Sequence, residues 1–423
     1  MNVLPSAEIR RPPLRHRYRC RLCDSRHLTK VISLTPTPPA NAFIAAGDLA
    51  EEQPRYPLDV WFCETCTHVQ LLDVVDPVEL FREYVYASGT SPVFVRHFDL
   101  YAADIVRRFS IGAGALVIDI GSNDGTLLSS FQRCGQRILG IDPATEIARR
   151  ACAAGIETVC AFLTPALARD IRAQHGPAKV VTANNVFAHI DDLASTVDAL
   201  RTLLDADGIF VFEVSYLADV YQHLLFDTIY HEHLDYHSVR ALVPFLATHG
   251  LKLVDATRVA SHGGSLRGVA ALAGSERPAS PAIATLVEQE EALGLTKADT
   301  FRRFGARIDE RAADLSALLT TLHASGRRIA GFGAPAKATT LMYHFGIDGD
   351  LLDYIVDDSP LKQGLYTPGL HIPVVAPATL YESPPDYLLI LAWNFAESIM
   401  ANHRRFADGG GHFIVPLPEL EVR

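Results

Sequence analysis

Val117-Ile-Asp-Ile-Gly-Ser-Asn-Asp-Gly-Thr126 sets the architecture of the central part of this chain. The apolar residues up to Ile120 predict a buried strand over 115–120. Gly121 and Gly125 predict a tight turn, because glycine lets the backbone approach a ligand without a Cβ clash. A helix is expected from Leu127 onward. Strand, glycine turn and helix in this order are typical of a nucleoside-binding α/β unit.

Strands and helices continue to alternate after this turn. Apolar runs predict further strands over 137–142, 180–183 and 208–214, and a closing pair over 251–256 and 265–272. Alternation of this kind predicts a doubly wound, mainly parallel sheet, in which ligands bind at the carboxyl ends of the strands.

The acid at the end of the second strand narrows the choice of cofactor. Asp142 lies 21 residues after Gly121, and an acid there can accept both ribose hydroxyls of an adenosine moiety. The dinucleotide fingerprint Gly-x-Gly-x-x-Gly is absent, so S-adenosylmethionine (SAM), which has no phosphate, fits better than NAD or a purely structural turn. Asp119 and Asp124 could meet the methionine amino group, unless they only cap a helix. The candidate cofactor-binding residues are Asp119, Gly121, Asn123, Asp124, Gly125, Asp142 and Asn185.

Two Cys-x-x-Cys pairs stand near the start of the chain, Cys20 with Cys23 and Cys63 with Cys66. Four thiolates satisfy tetrahedral zinc without an open ligand position, so a zinc ion there would stabilise folding and not catalyse. Unligated thiols or a redox pair are the alternatives. The other cysteines have no partner at ligand spacing and are expected to be small buried residues: Cys134, Cys152 and Cys160.

A second strand-turn-helix unit begins at Arg328, after a linker over 273–281 and a long helical region. Further strand ends are expected near 358 and 394. The predicted fold class is therefore α/β, with a zinc-ribbon-like module at 1–86, a Rossmann-like SAM methyltransferase domain at 87–275 and a smaller Rossmann-like α/β domain at 276–423.

Reactive side chains are concentrated in Asp227-Thr-Ile-Tyr-His-Glu-His-Leu-Asp-Tyr-His237, which holds three histidines, two tyrosines and three acids. Histidine can take up a proton near neutral pH, and a carboxylate can orient it. Tyrosine can donate a hydrogen bond to a developing oxyanion. A metal site at His-x-His lacks an obvious third ligand, and a satisfied polar cluster at a domain junction is the other alternative.

The chain resembles the zinc-containing sugar C-methyltransferases of deoxysugar biosynthesis, which act on nucleotide-linked 4-keto-hexoses. The resemblance covers nearly the whole chain, and Asp235 and His237 depart from the family pattern, which leaves the particular sugar open. Its motifs, in order, are the two Cys-x-x-Cys pairs, Tyr84-Val-Tyr-Ala-Ser-Gly89, Ile118-Asp-Ile-Gly-Ser-Asn-Asp-Gly125, Asn184-Asn-Val-Phe-Ala-His189, Phe226-Asp-Thr-Ile-Tyr-His-Glu-His233, His262-Gly-Gly-Ser-Leu-Arg267 and Gly331-Phe-Gly-Ala-Pro-Ala-Lys337.

The resemblance implies C-methylation of a dTDP-linked 4-keto-deoxyhexose at C3, through an enolate. His233 would be the base, Glu232 or a neighbour would orient it, and Tyr230 would bind the sugar near its ketone. His189 would steady the enolate oxygen. Either Tyr84 or Tyr86 would close over the sugar.

The C-terminal unit is expected to hold the nucleotide sugar, although a degenerate unit kept for packing is the rival interpretation. Gly333 and Lys337 begin a helix, where backbone amides and a lysine can hold a diphosphate. Arg267, in one motif with His262, could do the same, and Asn394 is a candidate contact for the base.

A net charge of −11 argues against general nucleic-acid binding. Seven arginines between Arg10 and Arg26 nevertheless keep open a SAM-dependent methyltransferase acting on RNA or protein, and a non-enzymatic partner-binding protein is a third hypothesis. No apolar stretch approaches the ~20 residues of a membrane span. We expect a cytoplasmic monomer without nucleic-acid or membrane partners.

Overall fold

The computed structural model describes residues 14–81 and 92–423, without the side chains of 92–94 and 262. Its strands form one small and three larger sheets. Within the described residues, no helix has the length and apolar character that a membrane crossing requires.

The cysteine-rich part of the chain is built on antiparallel strands. Along Tyr56–Cys63 the side chains of Leu58, Val60 and Phe62 are buried, which is the period of two expected for a strand with one face on the core. The later strand Asp235–Tyr236 completes the four-stranded sheet of this part. The elements are β1 (Leu14–His16), β2 (Leu28–Thr37), β3 (Tyr56–Cys63), β4 (Val69–Leu71), β5 (Asp73–Val75) and α1 (Pro77–Phe81).

The middle of the chain forms a seven-stranded sheet whose inner strand Leu116–Ile120 is buried throughout, as parallel strands covered on both faces are. Its elements are α2 (Pro92–Arg108), β6 (Leu116–Ile120), α3 (Thr126–Arg133), β7 (Arg137–Ile141), α4 (Thr145–Ala153), β8 (Thr158–Val159), α5 (Pro165–His175), β9 (Ala178–Asn184), α6 (Leu193–Leu203), β10 (Leu204–Ser215), α7 (Leu217–Gln222), β11 (Asp235–Tyr236), α8 (Val239–Thr248), β12 (Leu251–Val259) and β13 (Ser265–Leu272).

The strand order β12-β13-β10-β9-β6-β7-β8 reverses at β6, which pairs with β7 on one side and β9 on the other. Such a switch point opens a crevice at the carboxyl ends of the strands. The closing strand β13 runs antiparallel to both of its neighbours.

The C-terminal part carries a second, six-stranded sheet of order β16-β15-β14-β17-β18-β19, parallel except for its last strand. Its elements are α9 (Ala282–Ala292), α10 (Ala298–Ala324), β14 (Ile329–Phe332), α11 (Ala336–Phe345), β15 (Ile355–Val356), β16 (Val374–Val375), α12 (Thr379–Glu382), β17 (Tyr387–Ile390), α13 (Ala396–Asn402), α14 (Arg404–Asp408), β18 (His412–Val415) and β19 (Glu421–Val422).

Helix α10 joins the parts of the molecule. Its buried residues recur at helical spacing and form one apolar stripe, which packs against β2, as α11 also does. The rings of Phe301 on α10 and Phe62 on β3 lie 5.7 Å apart. The predicted α/β class with its zinc-binding module and Rossmann-like domain is confirmed, whereas the boundaries at 86/87 and 275/276 stay a prediction.

The prediction for the three remaining cysteines is wrong. Cys134 is half-buried, and Cys152 and Cys160 are exposed. Cys152 and Cys160 lie at the outer ends of α4 and β8, whereas Cys134, directly after α3, packs against the edge of the core.

Candidate active site

A cavity of 1020 Å³ lies at the carboxyl edge of the seven-stranded sheet, and all three parts of the molecule contribute to its wall. This volume is at the upper end of the ~300–1,000 Å³ usual for ligand sites, so the cavity has room for more than one ligand. Among the residues that line it are Asn41, Asp119, Gly121, Asn123, Asp142, Asn185, His189, Tyr230, His233, Lys337, Lys362 and Asn394.

The glycine turn after β6 is shaped by close packing. Gly121 has φ +65°, and a Cβ on it would lie 2.3 Å from Cγ2 of Val186. Asn123 also takes a left-handed conformation, with φ 51°. The turn therefore needs the glycine that the sequence placed there, and it brings bare backbone to the cavity wall.

Asp142, directly after β7, is held by the backbone on both sides of its carboxylate. One oxygen accepts a hydrogen bond from the Asn123 amide and the other from the Ala144 amide, each at 2.8 Å. Burial raises the pKa of this carboxyl, and the two amides oppose the shift. A fixed acid at the edge of the turn is what an adenosine ribose requires.

Asp119, at the end of β6, lines the same cavity and accepts a hydrogen bond from the Thr182 hydroxyl at 2.6 Å. Burial raises the pKa of Asp119 to about 7, against the opposing effect of this hydrogen bond. A buried carboxylate of this kind suits a ligand that brings a positive charge, as the methionine ammonium of SAM does. The cavity wall therefore fits SAM.

Asp124 and Gly125 do not line the cavity. The Asp124 carboxylate accepts hydrogen bonds from the amide and hydroxyl of Thr126, the first residue of α3. These contacts are those of the helix-capping alternative. Gly125, with φ +78°, shapes the turn against Ile156.

The reactive segment sends its side chains in two directions. Tyr230 and His233 line the cavity. His231, Asp235 and His237 are buried on the other side, where they face β3, β4 and the backbone of Phe187. The two residues that depart from the family pattern, Asp235 and His237, therefore do not line the cavity.

His233 is held by hydrogen bonds on both ring nitrogens. Nδ1 lies 2.8 Å from the carbonyl oxygen of Thr228, and Nε2 lies 2.8 Å from the Tyr230 hydroxyl. A carbonyl only accepts, so Nδ1 carries the proton of the neutral ring and Nε2 accepts the Tyr230 hydroxyl. The Thr228 carbonyl orients the ring.

Glu232, which we expect to orient His233, contacts Asn41. Its carboxylate is buried outside the cavity wall and accepts a hydrogen bond from Nδ2 of Asn41 at 2.8 Å. Consecutive side chains in this turn point to different sides, which is why the residue next to His233 in sequence is not its orienting group.

His189 is the last residue of a short 3₁₀ turn after β9 and stacks on His233, with ring centroids 4.9 Å apart. Its Nε2 is buried and, within residues 14–81 and 92–423, has no hydrogen-bond partner. Burial, and then the proximity of His233, hold the pKa of His189 well below its usual value, so the ring is neutral. A buried unpaired ring nitrogen beside the cavity suits a polar group of a ligand.

The C-terminal part presents two half-buried lysines to the cavity. Lys337, in the first turn of α11, donates to the Asn394 side chain at 2.6 Å and lies 3.7 Å from Asp227. Lys362 donates to the Ala334 carbonyl at 2.6 Å and lies over the Phe43 ring. Burial lowers the pKa of both lysines, and nearby acids oppose the shift.

Lys362 and Asn41 were missed by sequence reasoning, because both stand in loops without a motif that would single them out. Gly333 is not in the cavity wall; its φ is +87°, and a Cβ there would lie 2.6 Å from the Ala392 Cβ. It permits the turn before α11 and does not line the cavity.

Arg267, which we expect to bind phosphate, contacts a buried acid instead of the cavity. Its guanidinium lies on β13, outside the cavity wall, and donates two hydrogen bonds to Glu213 at 3.0 and 2.9 Å. It also lies over the Tyr101 ring at 4.1 Å. Burial would raise the pKa of Glu213, but His97, Arg267 and Ser261 bring it down to about 2, so the pair is ionised.

Three predicted residues cannot be placed. Tyr84 and Tyr86 lie outside the described residues, and so does the side chain of His262.

The four cysteines of the two Cys-x-x-Cys pairs converge, with all Sγ atoms within 4.8 Å of one another. The Cys20–Cys66 and Cys23–Cys63 Sγ distances are 3.5 and 3.6 Å. Tetrahedral zinc with Zn–S bonds of ~2.3 Å places its sulfurs about 3.8 Å apart, so the cluster fits the ion. Four thiolates fill the tetrahedral coordination shell of zinc, so no position is left for water or substrate, as in a structural zinc site.

Comparison with known proteins follows the three parts of the molecule. Family models match a zinc binding domain at residues 20–81, a methyltransferase domain at 94–256 and a C-methyltransferase C-terminal domain at 260–418. The C-methyltransferase NovU of Streptomyces niveus is 35% identical over 403 residues, which are 95% of this chain and 96% of that protein.

More distant matches are confined to part of the chain. A ubiquinone biosynthesis O-methyltransferase of Colwellia psychrerythraea is 28% identical over 156 residues, 34% of this chain and 63% of that protein. Among solved structures, magnesium protoporphyrin IX methyltransferase from Synechocystis PCC 6803 with bound SAM is 15% identical with a TM-score of 0.32, over 42% of this chain and 78% of that one.

The chain therefore belongs to the zinc-binding, SAM-dependent C-methyltransferases. The predicted cofactors, SAM and structural zinc, are confirmed at this level.

Proposed function

We propose, from this family membership, that the enzyme methylates the carbon beside the ketone of a nucleotide-linked 4-keto-deoxyhexose, a dTDP-sugar methylated at C3, through an enolate. One observation carries the proposal: the Tyr230–His233 pair and the stacked His189 line the same cavity as Asp119 and Asp142 of the cofactor turn. This arrangement supports the proposal, because carbon methylation needs a general base beside an electrophilic cofactor.

The residues suggest how the proton leaves carbon. A C–H bond beside a ketone is weakly acidic, so its cleavage needs a base and a stabilised enolate. In the neutral form of the His233 ring, Nε2 accepts the Tyr230 hydroxyl. The carbon-bound proton can therefore pass to the Tyr230 oxygen while the Tyr230 proton moves to Nε2, and the C–H electron pair moves onto the ketone oxygen.

The surrounding groups support the charges that this step creates. The Thr228 carbonyl accepts a hydrogen bond from Nδ1–H of the resulting imidazolium. Neutral His189, in the tautomer that carries its proton on the buried Nε2, would donate to the enolate oxygen. When bound, SAM supplies the electrophilic methyl group. Asp119 and Asp142 would hold its ammonium and ribose hydroxyls.

Substrate binding is assigned to the C-terminal wall. Lys337 and Lys362 bring two ammonium groups to the cavity, and lysines bind phosphates as point charges. Both now donate to protein oxygens, so a diphosphate would draw them from Asn394 and the Ala334 carbonyl. Asn394 would then be released to contact the base.

The test is product identification. The enzyme is incubated with methyl-¹³C SAM and a thymidine-diphosphate 4-keto-6-deoxyhexose, and NMR locates the labelled methyl group. We expect a carbon-bound methyl at C3. Tyr230→Phe should lower the rate by about 10²-fold or more, as expected for lost acid–base catalysis.

Tyr236→Phe is the matched control. Tyr236 is buried outside the cavity, and its hydroxyl has no hydrogen-bond partner within the described residues. Its rate should stay within about twofold of the parent, because surrendering an unpaired hydroxyl costs little. No methylated sugar, together with no binding of thymidine diphosphate, would sink the proposal and favour RNA or protein substrates.

A further inference from the structure

A buried arginine connects the zinc-binding turn to the reactive segment. Arg21 follows the zinc ligand Cys20, and its side chain is fully buried. Its Nη1 atom donates to the carbonyl oxygens of Leu71 and Leu234 at 2.9 and 3.3 Å. Nη1 also lies 3.5 Å from the Asp235 carboxylate. One guanidinium group therefore contacts strand β4 and the two residues that follow His233.

Gln70 ties this arginine to the metal cluster. Its side-chain oxygen accepts hydrogen bonds from the Arg21 amide at 2.9 Å and from Nη1 at 3.3 Å. Its side-chain nitrogen donates to the Cys20 Sγ at 3.2 Å. An amide that donates to a ligand sulfur is a typical outer-shell contact of a thiolate site. The position of Gln70 is thus set by Cys20, and that of Arg21 by Gln70.

The other end of the connection reaches both cavity histidines. The Leu234 carbonyl accepts from Arg21 and from the Leu71 amide. The Leu234 amide donates to the Ala188 carbonyl at 2.9 Å. Leu234 follows His233 and Ala188 precedes His189, so this one residue links the backbones of the two stacked rings.

Asp235 closes the network on the same side. Its carboxylate accepts from His68 at 2.7 Å, and both side chains are fully buried. The His68 ring stacks on His237 at 5.7 Å. The Arg21 charge is thereby opposed by Asp235 at 3.5 Å and by Asp191, which accepts a hydrogen bond from Nε at 3.2 Å, and such compensation is the condition for keeping a buried ion in place.

We infer that Arg21, together with Gln70 and Asp235, is a positioning element that fixes the His189–His233 pair from the zinc-binding turn. The zinc cluster then has a second consequence beyond folding: it sets the register of the catalytic histidines. The catalytic part of this inference rests on the proposed function, and the structural part does not.

Two measurements on the full-length, zinc-loaded protein test it. The first is backbone hydrogen–deuterium exchange by mass spectrometry for peptides spanning 186–190 and 230–237. Arg21→Met should speed exchange there by about tenfold or more, since local opening follows the loss of buried contacts. The second is kinetics: kcat for sugar methylation should fall about 10²-fold, as a ~1 Å misplacement can cause, with KM for SAM within about threefold.

Arg19→Met is the matched control, because Arg19 precedes Cys20, is exposed and, within the described residues, pairs locally with Asp24. Arg21→Lys keeps the charge but not the fork of donors, so it should recover part of kcat. Zinc content and Tm of each variant confirm loading and folding.

Equal exchange in Arg21→Met and Arg19→Met would overturn the inference, and so would a parental kcat in Arg21→Met. If the wild-type enzyme fails to methylate the sugar, the proposed function has failed, and the exchange measurement decides the positioning claim by itself.

Discussion

Replacing Gly121 by alanine should damage the cofactor turn in two separable ways. The residue has φ +65°, which costs a residue with a Cβ about 1–2 kcal/mol. The new Cβ would also lie 2.3 Å from Cγ2 of Val186, and overpacking of this kind costs about 1–3 kcal/mol. The expected loss of stability is therefore about 2–5 kcal/mol.

Gly114→Ala isolates the conformational part. Gly114 has a similar φ of +73°, just before β6, but no atom lies within 4 Å of its added Cβ. Gly114→Ala should therefore lower the stability by about 1–2 kcal/mol, from the left-handed conformation alone. The double variant Gly121→Ala/Val186→Ala should recover the steric part, so the pair should couple by about 1–3 kcal/mol.

The assay is the Tm of each variant without ligand, followed by SAM titration calorimetry. In a domain of roughly 150–250 residues, each kcal/mol of lost stability lowers the Tm by about 2–4 °C. Because Gly121 lines the cavity and Gly114 does not, SAM affinity should fall in Gly121→Ala and stay parental in Gly114→Ala. Equal Tm losses in the two variants, or no recovery with Val186→Ala, would refute the packing argument.

Three further changes test other parts of the site. Burial raises the pKa of Asp119 from 3.8 to about 7, so folding takes up a proton between these two pH values, and the stability of the wild-type protein falls as the pH rises through that window. Asp119→Asn does not lose this stability, so its Tm advantage over the wild type should grow across the window and then level off. A Tm difference that stays constant with pH would contradict the pKa shift. Arg267→Met leaves buried Glu213 without its guanidinium partner and should lower the free energy of unfolding by about 3–5 kcal/mol. The affinity for thymidine diphosphate should stay within about twofold of the parent. A large loss of that affinity would restore the phosphate-binding role of Arg267. Cys66→Ser should lower the zinc content, measured by elemental analysis, and speed proteolysis of the segment 14–75. An unchanged zinc content would contradict a four-cysteine site.

The fold could be predicted from the sequence where local signals agree. The apolar strand, the two glycines of the turn and Asp142 all predict the same strand–turn–helix unit. The cysteine pairs also predict their own geometry, since thiolates at this spacing have few uses other than zinc binding. These elements stand in the structure where they were expected, with strand ends shifted by a few residues.

Side-chain direction limited the prediction of the site. Glu232 and His233 are adjacent in sequence, yet one is bound to Asn41 and the other to the Thr228 carbonyl. Arg267 stands in a motif, but its strand directs it to Glu213 across the sheet. Such pairings depend on which residues the tertiary fold brings opposite each other, and a single sequence does not contain that information. Lys362 lies in the cavity wall but was not predicted to, for the same reason.

The most direct test of the proposed chemistry is proton exchange at carbon. The enzyme is incubated in deuterated water with the thymidine-diphosphate 4-keto-6-deoxyhexose and S-adenosylhomocysteine, which cannot donate a methyl group. We predict His233-dependent deuterium incorporation at C3, reduced about 10²–10⁴-fold in His233→Asn, with unchanged S-adenosylhomocysteine affinity. Exchange at the parent rate in His233→Asn would show that another group is the base, and no exchange in the wild-type enzyme would contradict the enolate mechanism.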